Sequence, residues 1–184
     1  MKATGFLFSL ILFSLSNAFA QSEAQTSFDK LKGLAGTWEG VATTIPPMPG
    51  VDGKTVQVFL RVTSMGNALM HEMKVTGQPD NPITMLYLEG DRLLLTHYCD
   101  AGNRPNMAGK MAADGKTVTF DVFGVSGRTQ QGYMHNASFT PISPDHHEEE
   151  WTFIVEGKPP MKGHLDLRLK KSEKLPEINV RPAE

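Results

Sequence analysis

Three histidines lie on predicted strand faces that are otherwise apolar, and their side chains could do chemistry. Apolar residues alternate at a spacing of two with His71, His97 and His135. Buried imidazoles need hydrogen-bond partners, and three neutral ones can ligate zinc, copper or a heme iron. Their separations of 26 and 38 residues match no compact metal motif. Two interpretations stay open: a heme or metal site formed by these histidines, or core histidines that each bond a neighbouring hydroxyl or carbonyl.

A polar segment, residues 100–106, separates two predicted strands and concentrates hydrogen-bond donors. Loops that a rigid scaffold positions are common sites of recognition. Arg104 suits an anionic ligand group, while Asn103 and Asn106 suit the fixing of its orientation. The alternative is an ordinary turn in which Gly102 supplies a positive φ.

The single cysteine, Cys99, shares a strand face with His97 and raises the question of nucleophilic catalysis. Side chains two apart on a strand have Cβ atoms roughly 6 to 7 Å apart, which is beyond hydrogen-bond reach. No glycine elbow that would form an oxyanion hole precedes the cysteine. We therefore expect a small buried hydrophobic residue at this position rather than an enzyme nucleophile.

Residues 146–150 are a run of histidines and glutamates that resembles a metal cluster in sequence, but they lie on a predicted strand. Alternate side chains diverge, which leaves His146, Glu148 and Glu150 on one face and His147, Glu149 and Trp151 on the other. We expect a solvated face or strand mouth here, with a weak surface metal site at His146 and Glu148 as the alternative. On the last strand, His164 is expected in a surface charge network.

The elements that must position these side chains are short strands. From residue 36 onward, segments with period-two alternation are separated by glycine, proline, aspartate and asparagine, which is the strand-and-turn signal. The clearest is residues 54–64, where four apolar side chains share one face. Ten strands are predicted, at residues 36–45, 54–64, 68–76, 83–89, 92–100, 106–112, 117–124, 132–140, 147–156 and 161–170.

Short connections with turn chemistry predict that neighbouring strands are antiparallel. One short helix is predicted before them, at residues 27–34, with Ser27 as its cap. A series of this many strands must remove its free edges, and closure into a barrel does so. The sequence therefore predicts an all-β antiparallel barrel, with a two-sheet sandwich as the structural alternative.

The first 20 residues have the pattern of a secretory signal peptide. A charged start is followed by a short apolar run and an Ala-Phe-Ala exit at residues 18–20. The apolar run is shorter than the roughly 20 residues of a membrane-spanning helix. We expect cleavage after Ala20, export to the periplasm or the medium, and no membrane insertion afterwards. Residues 21–26 and 172–184 are predicted to be tails around a barrel domain at residues 27–171.

Composition limits the classes of partner. The formal charge of −2 and the pI near 6.3 show no basic footprint, so nucleic acid is not expected as a partner. A lone cysteine cannot form an internal disulfide, so packing must stabilise the exported domain. The sequence does not indicate an oligomeric state.

Several stretches carry a family resemblance: residues 28–31, 36–40, 95–107, 132–135 and 149–153. At residues 36–40 the chain resembles the calycin superfamily, which implies a β-barrel with Trp38 packed across its closed end. The stretches together resemble a bacterial family of exported and cytoplasmic barrels of unknown function. That family is similar to nitrobindins, ten-stranded barrels that bind ferric heme through a histidine, which would make His164 a secondary heme candidate. Ala42 stands where nitrobindins carry the third glycine of their motif.

Three functions follow from these observations. The first is a barrel that binds a small apolar or amphipathic ligand in its interior, with Met65, Met70, Met73, Met85, Met107, Met111 and Met134 as an adaptable lining. The candidate ligand-binding residues are Trp38, His71, His97, Cys99, Asn103, Arg104, His135 and Trp151. The second is a heme or transition-metal protein that uses the three interior histidines. The third is a hydrolase or isomerase with its site at the loop around Arg104. It ranks last because the sequence does not assemble a base, a nucleophile and an oxyanion donor.

Overall fold

The structure is a computed structural model that describes residues 21–170 of the 184-residue chain. The predicted signal peptide, residues 1–20, and the predicted C-terminal tail, residues 172–184, lie outside the described residues. No helix within residues 21–170 is long and apolar enough to cross a membrane.

Ten antiparallel strands close into one barrel. Helix α1 spans Glu23–Lys32, and the strands are β1 Gly36–Ile45, β2 Thr55–Thr63, β3 Ala68–Val75, β4 Ile83–Glu89, β5 Arg92–Tyr98, β6 Asn103–Met111, β7 Val118–Gly127, β8 Tyr133–Ser143, β9 His146–Ile154 and β10 Met161–Leu169. Each strand pairs with its neighbours in sequence, and β1 also pairs with β10. This confirms the predicted all-β barrel of ten strands and excludes the two-sheet sandwich.

The strand bounds differ from the predicted ones mainly at β6, β7 and β8, and β7 ends at Gly127 rather than at residue 124. The strand predicted at residues 106–112 begins at Asn103, because Arg104 and Pro105 already pair with Ser126 and Val125 of β7. The segment predicted as a binding loop is therefore largely strand. Strand β8 continues to Ser143, past the predicted end at residue 140.

The helix begins earlier than predicted, which corrects the expected flexible segment at residues 21–26. The cap is Ser22 rather than Ser27, and its side chain accepts a hydrogen bond from the Gln25 N–H at 3.2 Å. Glu23 in the first turn complements the helix dipole. Ser27 instead lies inside the helix, on its buried face, with none of its surface exposed.

One end of the barrel is closed by α1 and Trp38. The helix buries Phe28 and Leu31 in the same core as Trp38, whose indole is 1% exposed. The indole Nε1 donates a hydrogen bond to the Leu34 carbonyl at 2.8 Å, which ties β1 to the segment after the helix. Trp38 therefore lies where the resemblance to calycins placed it, across the closed end.

Gly40 shows what barrel closure requires of the sequence. It lies on β1 opposite Leu167 of β10, and a Cβ added there would lie 1.8 Å from the Asp166 carbonyl oxygen. No real Cβ makes such a contact, so only glycine lets the two strands approach closely enough to pair. The second glycine of the Gly-x-Trp-x-Gly motif is thus explained by the contact that closes the barrel.

We predict that Gly40→Ala lowers the free energy of unfolding by about 3 kcal/mol or more, because the added methyl group contacts backbone that cannot rotate away. Urea denaturation of the purified protein measures the effect. The control is Gly124→Ala on β7, where an added Cβ meets nothing within 4 Å. The control should change stability by less than about 1 kcal/mol; equal costs for the two variants would contradict the close-approach explanation.

Candidate ligand-binding site

A cavity of about 390 Å³ occupies the end of the barrel opposite α1. Its wall is formed by the last residues of β1, β3, β5 and β9, the first residues of β8 and β10, and the 48–51 and 78–82 loops. Most lining side chains are apolar, among them Met48, Val51, Met73, Val75, Met134, Phe153, Met161 and Leu165. Charged groups also contribute to the wall, and they are Asp80, Asp100 and Lys162.

His97 is the buried ionisable residue that lines this cavity. It faces inward from β5, and its side chain is 1% exposed. Its Nδ1 lies 2.8 Å from the hydroxyl oxygen of Thr84, the residue directly opposite on β4. Its Nε2 has no hydrogen-bond partner among residues 21–170. Burial, with a smaller contribution from the charge of His71, lowers the pKa of His97 to about 4, so the imidazole is neutral at physiological pH.

Deeper in the barrel, the Glu149 carboxylate accepts three hydrogen bonds. Nε2 of His71 lies 3.0 Å from one oxygen, Nε2 of His147 lies 3.0 Å from the other, and Nε1 of Trp151 donates at 2.9 Å. Glu149, His71 and His147 are each no more than 1% exposed. The three donors satisfy a carboxylate that would otherwise be costly to bury. We call this set, including Trp151, the Glu149 cluster.

The protonation of Glu149 follows from its surroundings. Burial alone would raise the pKa of this carboxyl, because desolvation disfavours the charged form. The charge of His71 and the hydrogen bonds from His147 and His71 outweigh burial, so the pKa lies well below its ordinary value. Glu149 is therefore an ionised carboxylate throughout the physiological range.

Trp151 connects the Glu149 cluster to the cavity. Its indole N–H is bound by Glu149, while its ring lines the cavity beside His97. The ring centroids of His71 and His97 each lie 5.5 Å from the Trp151 ring. The floor of the cavity is therefore an indole and an imidazole, each fixed by a buried hydrogen bond.

His135 does not join the other two predicted histidines. Residues Met134 and Asn136 pair with consecutive residues of β9, so His135 is the extra residue of a β-bulge. The bulge turns Met134 rather than His135 toward the cavity, where it lies among the lining side chains. Strict alternation therefore does not hold at His135, which is not among the residues that line the cavity.

The residues predicted to form a binding loop have other positions. Asn103 is buried, and its amide donates to the carbonyl oxygens of Arg128 and Gly132, so it joins two chain segments. Arg104 is exposed and is not among the residues that line the cavity. Asn106 accepts a hydrogen bond from the Thr96 hydroxyl at 2.9 Å. The cavity is lined instead by Cys99 and Asp100, just before β6.

Cys99 lies at the cavity wall, half-buried. Burial raises the pKa of its thiol, and the nearby carboxylates of Asp100 and Asp80 raise it further, against a backbone hydrogen bond that lowers it. The thiol is therefore protonated at neutral pH and behaves as a small, soft wall residue.

The predicted methionine lining is partly correct. Met73 and Met134 line the cavity, whereas Met107 and Met111 belong to or pack against the closed core. Met65 is fully exposed at the turn before β3. The remaining predicted pair, Met70 and Met85, lie opposite each other but outside the cavity wall. Two methionines absent from the predicted set, Met48 and Met161, do line the cavity.

The outer face of β9 and β10 carries the remaining residues of the 146–150 run, which are His146, Glu148 and Glu150. Donor atoms of His146, Glu148 and Asp166 lie within 4.8 Å of one another, so Asp166 joins the pair considered as a surface metal site. His164 is 41% exposed and faces Glu150 on the same outer surface, as the sequence predicted. It therefore does not face the barrel interior as a heme ligand would.

The Glu149 cluster is the functional feature that the sequence did not predict. The alternation of residues 146–151 correctly grouped His147, Glu149 and Trp151, but a solvated face or strand mouth was expected for the 146–150 run. The signal that could have revealed it is Trp151, since a face that ends in tryptophan belongs in a core. Its other partner, His71, lies 78 residues away in the chain.

No protein-family model matches the chain, and no curated protein matches it in sequence. Several solved structures share the fold, among them the following two. A protein of unknown function from the DUF3598 family of Nostoc punctiforme is 12% identical with a TM-score of 0.55, covering 76% of this chain but only 49% of its own length. Rv2717c from M. tuberculosis is 12% identical with a TM-score of 0.59, covering 79% of this chain and 98% of its own. At this identity the likeness shows the barrel fold and no activity.

We predict that Glu149→Ala lowers the free energy of unfolding by about 3–5 kcal/mol, because two imidazoles and an indole N–H lose their common partner. The control, Glu150→Ala, removes a largely exposed carboxylate from the outer face of the same strand. It should change stability by no more than about 0.5 kcal/mol.

The pH dependence of stability gives a second measurement. The pKa of Glu149 is lower in the folded than in the unfolded protein, where it is about 4.3. Its contribution to the free energy of unfolding is therefore complete above about pH 4.3 and is lost as the pH falls through the folded-state pKa. Urea unfolding from pH 7 to pH 2 should show a smaller loss for Glu149→Gln than for Glu150→Gln. Parallel pH profiles would show that Glu149 is not ionised in the folded protein.

Proposed function

We propose that this barrel binds a small apolar or amphipathic molecule in the open-end cavity. The observation that carries the proposal is a mainly apolar cavity whose floor holds one buried imidazole with an unpartnered nitrogen, His97 Nε2. Ligand sites of this kind combine apolar walls with a few fixed polar groups. The Glu149 cluster and Thr84 fix the two aromatic rings of the floor, so that part of the site is formed before a ligand arrives.

The wall composition favours an apolar or amphipathic molecule over a fully polar one. Four methionines line the cavity, and their unbranched thioethers adapt to ligands of irregular shape. The charged groups of Asp80, Asp100 and Lys162 are compatible with a ligand whose polar part remains near water. A volume of about 390 Å³ lies within the range of small-molecule pockets.

A metal centre built from the interior histidines has less support. Nδ1 of His71, Nε2 of His97 and Nδ1 of His135 all lack a partner among residues 21–170, but the ligand atoms of these three histidines do not all lie within 4.8 Å of one another. Of the histidines in the described part of the chain only His97 lines the cavity, where it would be a single ligand. The resemblance to nitrobindins stays a prediction. Heme titration of the purified protein, followed by absorbance in the Soret region, would reveal binding through His97.

We also propose that the chain acts after export. The support is the signal-peptide pattern of residues 1–20. Expression of the full chain in a bacterium, followed by cell fractionation and mass analysis, should give a periplasmic or secreted protein that begins at Gln21. Replacing the small residue before the cut, Ala20→Asp, should leave the precursor uncleaved. Unprocessed wild-type protein in the cytoplasm would contradict the proposal.

The cavity can be tested by filling it. Gly163 on β10 lines the cavity, and a Cβ added there would meet only the Trp151 carbonyl oxygen, at 4.0 Å. We predict that Gly163→Leu weakens the binding of N-phenyl-1-naphthylamine, a neutral fluorescent probe, at least about tenfold because the side chain occupies the ligand volume. Probe emission, excited by energy transfer from the cavity tryptophan, measures binding.

The matched control is His164→Leu, which adds the same side chain to the neighbouring residue on the outer face. It should bind the probe as the wild type does. Equal weakening by both variants, or no binding of apolar probes by the wild type, would contradict an interior ligand site. Circular dichroism of both variants checks that the barrel is intact.

A further inference from the structure

We propose that His97 presents a protonated Nε2 to the cavity and so selects ligands that carry a hydrogen-bond acceptor oxygen, a carbonyl or a carboxylate. This inference rests on the proposed ligand-binding function and names the chemical class of the ligand. Thr84 is the residue that sets the tautomer. It acts through His97 and does not itself line the cavity.

The hydrogen-bond capacity of Thr84 carries the first step. Its hydroxyl is fully buried, and His97 Nδ1, at 2.8 Å, is its only hydrogen-bond partner among residues 21–170. A hydroxyl has one proton to donate, and a neutral imidazole has one donor and one acceptor nitrogen. The pair can therefore be arranged in two ways, with the shared proton on the hydroxyl or on Nδ1.

Counting unsatisfied groups separates the two arrangements. If Thr84 donates to Nδ1, its hydroxyl proton is satisfied and the imidazole proton resides on Nε2. If Nδ1–H donates instead, the hydroxyl proton is left without an acceptor in a buried site, and Nε2 is also bare. The first arrangement leaves one unsatisfied group, Nε2–H, whereas the second leaves two, the Thr84 hydroxyl proton and the bare Nε2. Buried unsatisfied groups are costly, so the first arrangement is favoured. Nε2–H is then the one unpaired donor of a ring that lines the cavity.

The residues around His97 determine which groups could accept a hydrogen bond from Nε2–H. Trp151 beside it has its N–H committed to Glu149, and the neighbouring wall is largely apolar. Cys99, the residue directly after β5, contributes a protonated thiol to the same wall. No carbonyl or carboxylate within residues 21–170 accepts from Nε2, so a ligand oxygen would provide the missing partner.

The cavity wall carries charges of both signs, so the acceptor oxygen could belong either to a carboxylate or to a carbonyl group. Lys162 can accompany a carboxylate, whereas Asp80 and Asp100 disfavour an anion on their side. The imidazole itself is neutral, so a carbonyl oxygen meets it without a buried net charge. The shared requirement is an acceptor oxygen within reach of Nε2.

The tautomer can be measured without any ligand. Two-dimensional ¹⁵N–¹H correlation of protein labelled in its histidines distinguishes a protonated from a bare ring nitrogen, and His97→Gln assigns the signals. We expect Nε2 to carry the proton at pH 7. A proton on Nδ1 would overturn the inference and would leave Nε2 free for a metal instead, while the cavity proposal would stand.

Ligand selectivity is the second measurement. Octanoic acid, methyl octanoate and octylamine share one chain, but only the first two carry an acceptor oxygen. Displacement of N-phenyl-1-naphthylamine should rank the acid or the ester about tenfold above the amine, as expected for one buried hydrogen bond. Preference for the acid identifies a carboxylate and preference for the ester a carbonyl.

Variants locate the effect at His97. His97→Phe keeps a ring in the floor but removes the donor, so it should lose the preference for acceptor ligands while still binding the probe. His97→Gln, which keeps a donor amide, should restore part of it, and His164→Gln on the outer face should change nothing. An unchanged preference in His97→Phe would overturn the inference. Failure of the wild type to bind the probe at all would overturn the proposed function, and this inference with it.

Discussion

The pairing of β1 with β10 is the contact on which the rest of the molecule depends. It joins the first strand to the last and leaves no free edge on a sheet of ten short strands. The strands approach so closely that Gly40 has no room for a side chain. Once the sheet is closed, one face of every strand must point into a common interior. Helix α1 and Trp38 seal one end of that interior, so a ligand can enter only from the other.

Inside a closed barrel, every buried polar group needs a hydrogen-bond partner. The Glu149 carboxylate is tolerated because three donors converge on it, one from β3 and two from its own strand, β9. Those bonds commit His71 and His147 and orient the indole of Trp151. His97 is fixed by Thr84 through one nitrogen and keeps the other free. His71 and His147 also keep one unpartnered nitrogen each, but of the three imidazoles only His97 lines the cavity.

Two solved barrels share the fold at 12% identity, as expected if the residues that form the barrel differ from those that line the cavity. A barrel is retained when period-two alternation, turns and a close β1–β10 contact are retained, and these allow many sequences. Under the proposed function, the few side chains that line the open end select the ligand. Methionines and an unpartnered imidazole there are properties of this chain, and the fold alone does not specify them.

The number of strands and their antiparallel order could be predicted from the sequence, because alternation and turn residues are local signals. The placement of Trp38 was implied by the resemblance of residues 36–40 to calycins. The faces of His71 and His97 were also correct, since β3 and β5 are regular near them. The place of His135 outside the cavity wall could not be predicted, because a bulge shifts alternation by one residue and nothing in the local pattern marks it. The start of α1 was missed because Ser22 and Ser27 are both suitable caps.

What only the tertiary structure decided is which distant side chains meet. Glu149 and His71 are separated by 78 residues and Thr84 and His97 by 13, so no spacing rule joins them. The charged run at residues 146–150 resembled a wet surface until closure placed alternate members inside. Sequence determined the strand faces, because side-chain direction is local. The partners across the barrel were decided by closure, because register between strands sets which inward residues face one another.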